Sequence, residues 1–299
     1  MEASMLKVGY IGLGLMGKPI ARNILKAGFP LVVHNRSQQA VTELISEGAK
    51  FASSPAEIAS QVDLVFTNLP DSPDVEMVSL GENGIIEGAH EGLIFIDNST
   101  IKPSVSRLIA EEFGKKGAQC LDAPVSGGDI GAQNGTLAIM IGGPGDAVEK
   151  VMPVFKAMGK TITHVGESGA GQIAKCANQI MVAAQMTALG ELLMLAKKSG
   201  ADPKKVVEAI RGGAAQCWAL DNKPQRLFAG ERSPGFKAYM QLKDLNIVMD
   251  TAREYGIPLL MTAITDQLYA TMCEMDMENM DNSAVIGVIE KLAGTGLLD

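Results

Sequence analysis

The feature that most constrains this chain is Gly12-x-Gly14-x-x-Gly17, set in "LKVGYIGLGLMGKPIARNILKAGF" from Leu6 to Phe29. A short β-rich run, Leu6–Ile11, leads into the glycines, and an amphipathic helical pattern, Met16–Ala27, leaves them. Gly12 permits a tight strand-to-helix turn. Gly14 brings backbone close to a bound group with no Cβ in the way, and Gly17 lets the helix pack against the strand. The free N–H groups and positive dipole end of that helix suit an anion. The loop Gly12, Leu13, Gly14, Leu15, Met16, Gly17 is therefore expected to hold a dinucleotide pyrophosphate.

The alternation continues. Further β-rich runs fall at Leu31–His34, Leu64–Asn68, Leu93–Asp97 and Gln119–Asp122, with helical stretches between them such as Ser37–Glu47 and Pro103–Lys116. Strand–helix alternation implies βαβ units and a mostly parallel sheet covered by helices on both faces. A strand pair around Leu137–Gly142 and Thr161–Val165 extends it. After about Gly166 the texture changes. Ser168–Gly200 is rich in strong helix formers and stops at a glycine; Pro203–Arg211, Leu242–Tyr255, Pro258–Met275 and Ser283–Leu292 follow as further helices. The expected fold is an α/β doubly wound parallel-sheet domain over residues 5–166, then an all-α domain over 167–299 that starts with a long inter-domain helix. That helix is too apolar for an exposed rod and should be buried between domains or subunits. Met1–Ser4 read as an extension before Met5.

Composition narrows the function. With 46% hydrophobic residues in 299, a sizeable core is available, and a net charge of −8 argues against a nucleic-acid surface or a polybasic membrane patch. Cys120, Cys176, Cys217 and Cys273 are far apart, and His34, His90 and His164 lack ligand spacing, so no metal site is expected. The cysteine usage fits a reducing cytosol, and a cytoplasmic location is expected. Every apolar run reads as interrupted before membrane-spanning length, and the opening run lacks the basic flank and cleavage site of a signal peptide.

About 20 residues past the glycines, an NAD-preferring site carries an acid for the ribose 2′-hydroxyl. This chain has His34, Asn35, Arg36 and Ser37, with no acid between Phe29 and Thr42. Arg36 can pair with a 2′-phosphate and Ser37 can donate to it, which favours NADPH over NADH. Three further stretches are candidates for chemistry: "DNSTIKP" (Asp97–Pro103), "DAPVSGGDIGAQNGT" (Asp122–Thr136) and "GAGQIAKCANQ" (Gly169–Gln179). The first two follow strands, where ligands of doubly wound sheets bind. Ser126, Gly127 and Gly128 offer a hydroxyl and bare amides to a carboxylate, or form a simple turn. Lys175, Asn178 and Gln179 share one helix face. Small and apolar neighbours would desolvate Lys175 and bring its proton into use near neutral pH, unless it is only an interface lysine reaching for water.

Together these motifs resemble the β-hydroxyacid dehydrogenase family, which includes 3-hydroxyisobutyrate dehydrogenase, tartronate semialdehyde reductase and glyoxylate/succinic semialdehyde reductase. "GYIGLGLMGKPIARNIL", "NLPDSPDV", "DNSTIKP", "DAPVSGG", "GAGQIAKCANQ" and "FKAYMQLKDL" occur in the family's order across nearly the whole chain. The resemblance implies a Rossmann-type domain followed by an all-helical domain, and reduction of a small carboxylate-bearing semialdehyde such as tartronate or methylmalonate semialdehyde. It makes Lys175 the proton donor and Asn178 the amide that orients substrate. Gln179 stands where several relatives have a second Asn. Ser126, Gly127 and Gly128 match a carboxylate-binding loop. Leu69, Pro70 and Thr100 match cofactor contacts, Asp74 a polar one, and Lys243 a lysine that closes over the cofactor. Family members are commonly dimers or tetramers, so a homodimer or homotetramer is expected. Other readings of the chain are glyoxylate/succinic semialdehyde or sulfolactaldehyde reduction, a decarboxylating enzyme like 6-phosphogluconate dehydrogenase, and an inactive dinucleotide-binding regulator.

Overall fold

The computed structural model describes residues 5–299, and Met1–Ser4 lie outside them. Nine strands form one sheet among these residues: β1 (Val8–Ile11), β2 (Leu31–His34), β3 (Lys50–Phe51), β4 (Leu64–Thr67), β5 (Ile94–Asp97), β6 (Gln119–Asp122), β7 (Val125–Ser126), β8 (Leu137–Gly142) and β9 (Gly159–Gly166). Their order is β3-β2-β1-β4-β5-β6-β8-β7, with β9 also on β8. Strands β1 to β6 pair in parallel; β8 runs antiparallel to β6 and β7 and parallel to β9. The two-residue strands β3 and β7 carry too little pattern to be read from sequence.

Side chains of a strand alternate between faces, and the core divides accordingly. Val8, Tyr10, Leu31, Val33, Leu64, Phe66, Ile94 and Ile96 pack on one face with the helices Gly17–Lys26, Gln38–Ser46 and Gly145–Met158. Ile11, Val32, Val65, Phe95 and Cys120 pack on the other with Pro55–Ala59, Ser72–Leu80 and Pro103–Gly114. This is the helix–sheet–helix layering that continuous apolar strands require.

The chain divides into two compact units, the first ending at Lys175 and the second running Cys176–Asp299. The division falls inside the long helix Ala170–Lys198, because its first turns are bonded to the ends of β5 and β6. The second unit is helical. Ala183, Met186, Leu189 and Leu193 of the long helix recur at helical spacing and pack with Ala238–Glu254, Leu260–Glu274 and Ile286–Ala293. One expectation needs correcting. By length and apolar composition the long helix does reach membrane-spanning size, since its glycines and glutamines interrupt it too weakly. Half of its most apolar stretch is buried within the protein, as in a core helix.

Candidate functional site

Strand register brings the first group of residues together. Ile11 pairs with His34 on one side and Thr67 on the other; Thr67 pairs with Asp97, and Asp97 with Asp122. These five form one row across the C-terminal ends of the parallel strands. The next residue on each strand opens a candidate loop: Gly12, Asn35, Asn68, Asn98 and Ala123. The order reverses between β1 and β4, the switch point where doubly wound sheets bind ligands. Side chains lock the loops to each other. Asn35 Oδ1 accepts from Leu13 N at 3.0 Å, and its Nδ2 donates to Ser37 O and Oγ. Asp97 Oδ1 accepts from Thr67 Oγ1 and from Ser99 N and Oγ, and Ser99 Oγ accepts from Leu69 N at 2.8 Å. Asn98 Nδ2 reaches Ala123 O at 2.8 Å.

The three glycines of the opening loop do different work. Gly12 has φ +92°, and a Cβ there would stand 2.3 Å from Asn68 O. At Gly17 a Cβ would stand 1.9 Å from Gly12 O. Both are required by the protein's own packing. A Cβ on Gly14 would meet nothing within 4 Å. The protein leaves that space open beside the first turn of Gly17–Lys26, which no side chain among the described residues caps. In that turn Lys18 N bonds to Gly14 O and Pro19 has no N–H, so what the loop offers a dinucleotide pyrophosphate is the open space at Gly14 and the positive end of the helix. Arg36 and Ser37 are exposed at the end of β2; Leu69 and Thr100 are half-buried, Pro70 exposed, and Asp74 half-buried in the first turn of Ser72–Leu80.

Lys175 is 7% exposed, and its Nζ donates to Val125 O at 2.8 Å. The next residue, Ser126, is half-exposed, and Gly127 and Gly128 follow with φ +135° and +64°. Lys175 is thus fixed beside the Ser126–Gly128 loop. Asp122 lies behind both, accepting from Gly169 N at 2.7 Å and Gln172 N at 2.9 Å. Burial pushes its carboxyl up to about 6, against the pull of those two donors.

In the second unit, Asn178 Nδ2 donates to Gln179 Oε1 at 2.7 Å, and Gln179 Nε2 donates to Asp244 Oδ2 at 2.5 Å. Lys243 Nζ lies 2.8 Å from Asp244 Oδ1, close enough to pair but off hydrogen-bond alignment. Gln179 and Asp244 are buried. Both ends of Gln179 are engaged within the protein, which leaves Asn178 as the more outward amide of the pair.

Comparison with known proteins decides the family. Residues 7–166 match the model of the NAD binding domain of 6-phosphogluconate dehydrogenase. Residues 169–289 match that of the NAD-binding domain of NADP-dependent 3-hydroxyisobutyrate dehydrogenase. The 2-hydroxy-3-oxopropionate reductase of Escherichia coli is 39% identical over 96% of this chain and 98% of its own. The chain belongs to the β-hydroxyacid dehydrogenase family. Among solved structures, Mycobacterium tuberculosis 3-hydroxyisobutyrate dehydrogenase with L-serine superimposes with a TM-score of 0.88 at 30% identity, covering 95% of this chain and 99% of the other. Psf3 in complex with NADP+ and 2-OPP gives 0.85 at 25% identity, covering 94% and 99%.

This β-hydroxyacid dehydrogenase is accordingly an NAD(P)-binding oxidoreductase. Sequence reasoning passed over four polar residues of its framework: Ser99, Asp122, Gln172 and Asp244. Asp122 and Asp244 stood inside quoted motifs, at the end of an apolar strand and within an apolar helix pattern, and a carboxylate in such a place needs a partner. The partners lie 47 to 65 positions away and carry no local signal.

Proposed function

We propose that this β-hydroxyacid dehydrogenase uses NADPH ahead of NADH to reduce a small carboxylate-bearing semialdehyde to its hydroxyacid, with Lys175 as the proton donor. Tartronate or methylmalonate semialdehyde is the type of substrate. The observation that carries the reading is Lys175 itself: a buried ammonium held by Val125 O, and Val125 is followed in sequence by Ser126, Gly127 and Gly128, whose hydroxyl and amides suit a carboxylate. The reductase named for 2-hydroxy-3-oxopropionate and the dehydrogenase named for 3-hydroxyisobutyrate support the substrate class.

The Gly12–Gly17 loop would hold the pyrophosphate, with Leu69, Pro70 and Thr100 alongside the ribose and nicotinamide. Arg36 and Ser37 would meet a 2′-phosphate. When bound, the nicotinamide supplies the hydride to the carbonyl carbon. Lys175 has three donors on its ammonium and directs one at Val125 O. Negative charge develops on the substrate oxygen in the transition state, and Lys175 stabilises it and passes its proton there, giving the hydroxyl. Asn178 orients the substrate from one turn further along the helix. Ser126 Oγ and the Gly127 and Gly128 amides take the carboxylate, which places the aldehyde rather than the acid at Lys175.

The test is Ser126→Ala. It removes the hydroxyl without disturbing Gly127, whose φ of +135° would strain any larger residue. KM should rise several-fold or more for acidic aldehydes, about 1–3 kcal/mol for a lost bond to a charged group, and little for uncharged ones of the same length. Equal effects on both classes would contradict carboxylate binding at this loop.

A further inference from the structure

We infer that Asp122 is a positioning residue for Lys175: from the end of β6 it caps the helix that carries the lysine, and so fixes where the ammonium stands. The inference rests on the proposed role of Lys175, and it is drawn from contacts of the first unit alone. A helix leaves its first N–H groups without intrahelical partners. Local residues usually meet that need, and a local cap fixes the helix only to itself. Here Ala170 N bonds locally to Glu167 O, while Gly169 N and Gln172 N are taken by the two carboxylate oxygens of Asp122, 47 and 50 positions away. The helix start is thereby tied to the sheet.

The same short stretch holds the lysine at its other end. Three residues past Asp122, Val125 O accepts from Lys175 Nζ. One turn of helix, Gln172 to Lys175, is pinned at its base by a side chain of this stretch and at its tip by a carbonyl of it. Gly171 permits the approach: a Cβ there would stand 2.4 Å from Asp122 O and 2.5 Å from Met140 O. Gln172, fully buried, adds a brace to the neighbouring loop, donating to Ser99 O at 2.8 Å and accepting from Ile101 N at 3.2 Å. A helical turn is stiff, so a shift at its base moves the ammonium, and a misplacement of about 1 Å can cost on the order of 100-fold in rate.

The variant is Asp122→Asn, which keeps one acceptor oxygen and turns an NH2 toward the other N–H. Three readouts separate positioning from mere stability. The first is kcat and the NADPH Kd at a temperature where circular dichroism shows full folding. Here kcat should fall about tenfold or more, with Kd unchanged within twofold. The second is the double-mutant cycle with Lys175→Ala. If Asp122 acts through Lys175, the substitution costs nothing further once the lysine is gone. The third is amide exchange over residues 169–175, which reads the clamp without turnover and should be faster in the variant. Asp122→Glu, which keeps the charge and both acceptors, should recover part of the rate, and it serves as the test if Asp122→Asn does not fold. Unchanged exchange, an unchanged kcat, or the same cost with and without Lys175 would overturn the inference. Unaltered turnover in Lys175→Ala together with faster exchange in Asp122→Asn would instead overturn the role of the lysine and leave the clamp standing.

Discussion

The two units build their polar sites by opposite means. In the first, the strand-end loops present backbone: the open space at Gly14, the uncapped start of Gly17–Lys26, and glycines at 127 and 128. In the second, the corresponding work is done by a chain of side chains, Asn178 to Gln179 to Asp244, with Lys243 beside it. A backbone site tolerates side-chain change wherever no Cβ collides. A side-chain chain fails when any one link changes length. Lys175 lies at the boundary in sequence, and it is held by a backbone carbonyl although its own function would be that of a side chain.

The largest expected effect belongs to that boundary residue. Lys175→Ala should lower kcat at least about 100-fold, the lower range for losing a general acid, while the NADPH Kd stays where it was, because the lysine is not on the Gly12–Gly17 loop. A folded variant with normal turnover would remove Lys175 from the mechanism.

Arg36→Ala comes next. A charge-assisted bond contributes about 1.5–3 kcal/mol, so the ratio of kcat/KM for NADPH over NADH should drop about ten- to a hundredfold at fixed low salt. Changing Asn35 as well would confuse the result, since its amide bonds both Leu13 N and Ser37 O. A wild type that already prefers NADH would make Arg36 a bystander.

A pair of alanines then tests the backbone side of the comparison. Gly12→Ala puts a Cβ against Asn68 O at positive φ and should destabilise the fold by about 1–3 kcal/mol, read as a lower Tm. Gly14→Ala meets no protein atom, so Tm should hold while NADPH binding weakens. If both variants lose stability alike, Gly14 is a folding residue and the open cradle has no special meaning.

The smallest effect is expected on the side-chain side. Gln179→Asn shortens the amide by one methylene and breaks its bond to Asp244. A single hydrogen bond contributes about 1 kcal/mol, so kcat/KM should fall several-fold, with the NADPH Kd unmoved. No change would show that Asn178 keeps its orientation without Gln179.

This contrast also explains what the sequence made legible. The glycine loop was readable because its three glycines fall within six positions between a β-rich run and a helical pattern, although the atom that Gly12 must avoid, Asn68 O, lies far along the chain. The strands were readable because parallel sheets bury long apolar runs. The lysine face of the long helix was readable from i,i+3 and i,i+4 spacing. The ties from Asp122 to Gly169 and Gln172, and from Gln179 to Asp244, were not, because they are set by tertiary approach between segments tens of residues apart. The same holds for the Asn35 amide, whose bonds to Leu13 N and to Ser37 O and Oγ make it part of the loop's own framework.

The central claim is that a carboxylate-bearing aldehyde is reduced here at the expense of NADPH, and initial rates test it directly. Purified protein would be assayed with NADPH and with NADH against tartronate, methylmalonate and succinate semialdehydes, glyoxylate, sulfolactaldehyde and an uncharged aldehyde of similar size. The account predicts the highest kcat/KM with NADPH and a short carboxylate semialdehyde, and a much lower value for the uncharged aldehyde. Equal rates with charged and uncharged aldehydes, or no reduction of any carboxylate aldehyde with either cofactor, would contradict it.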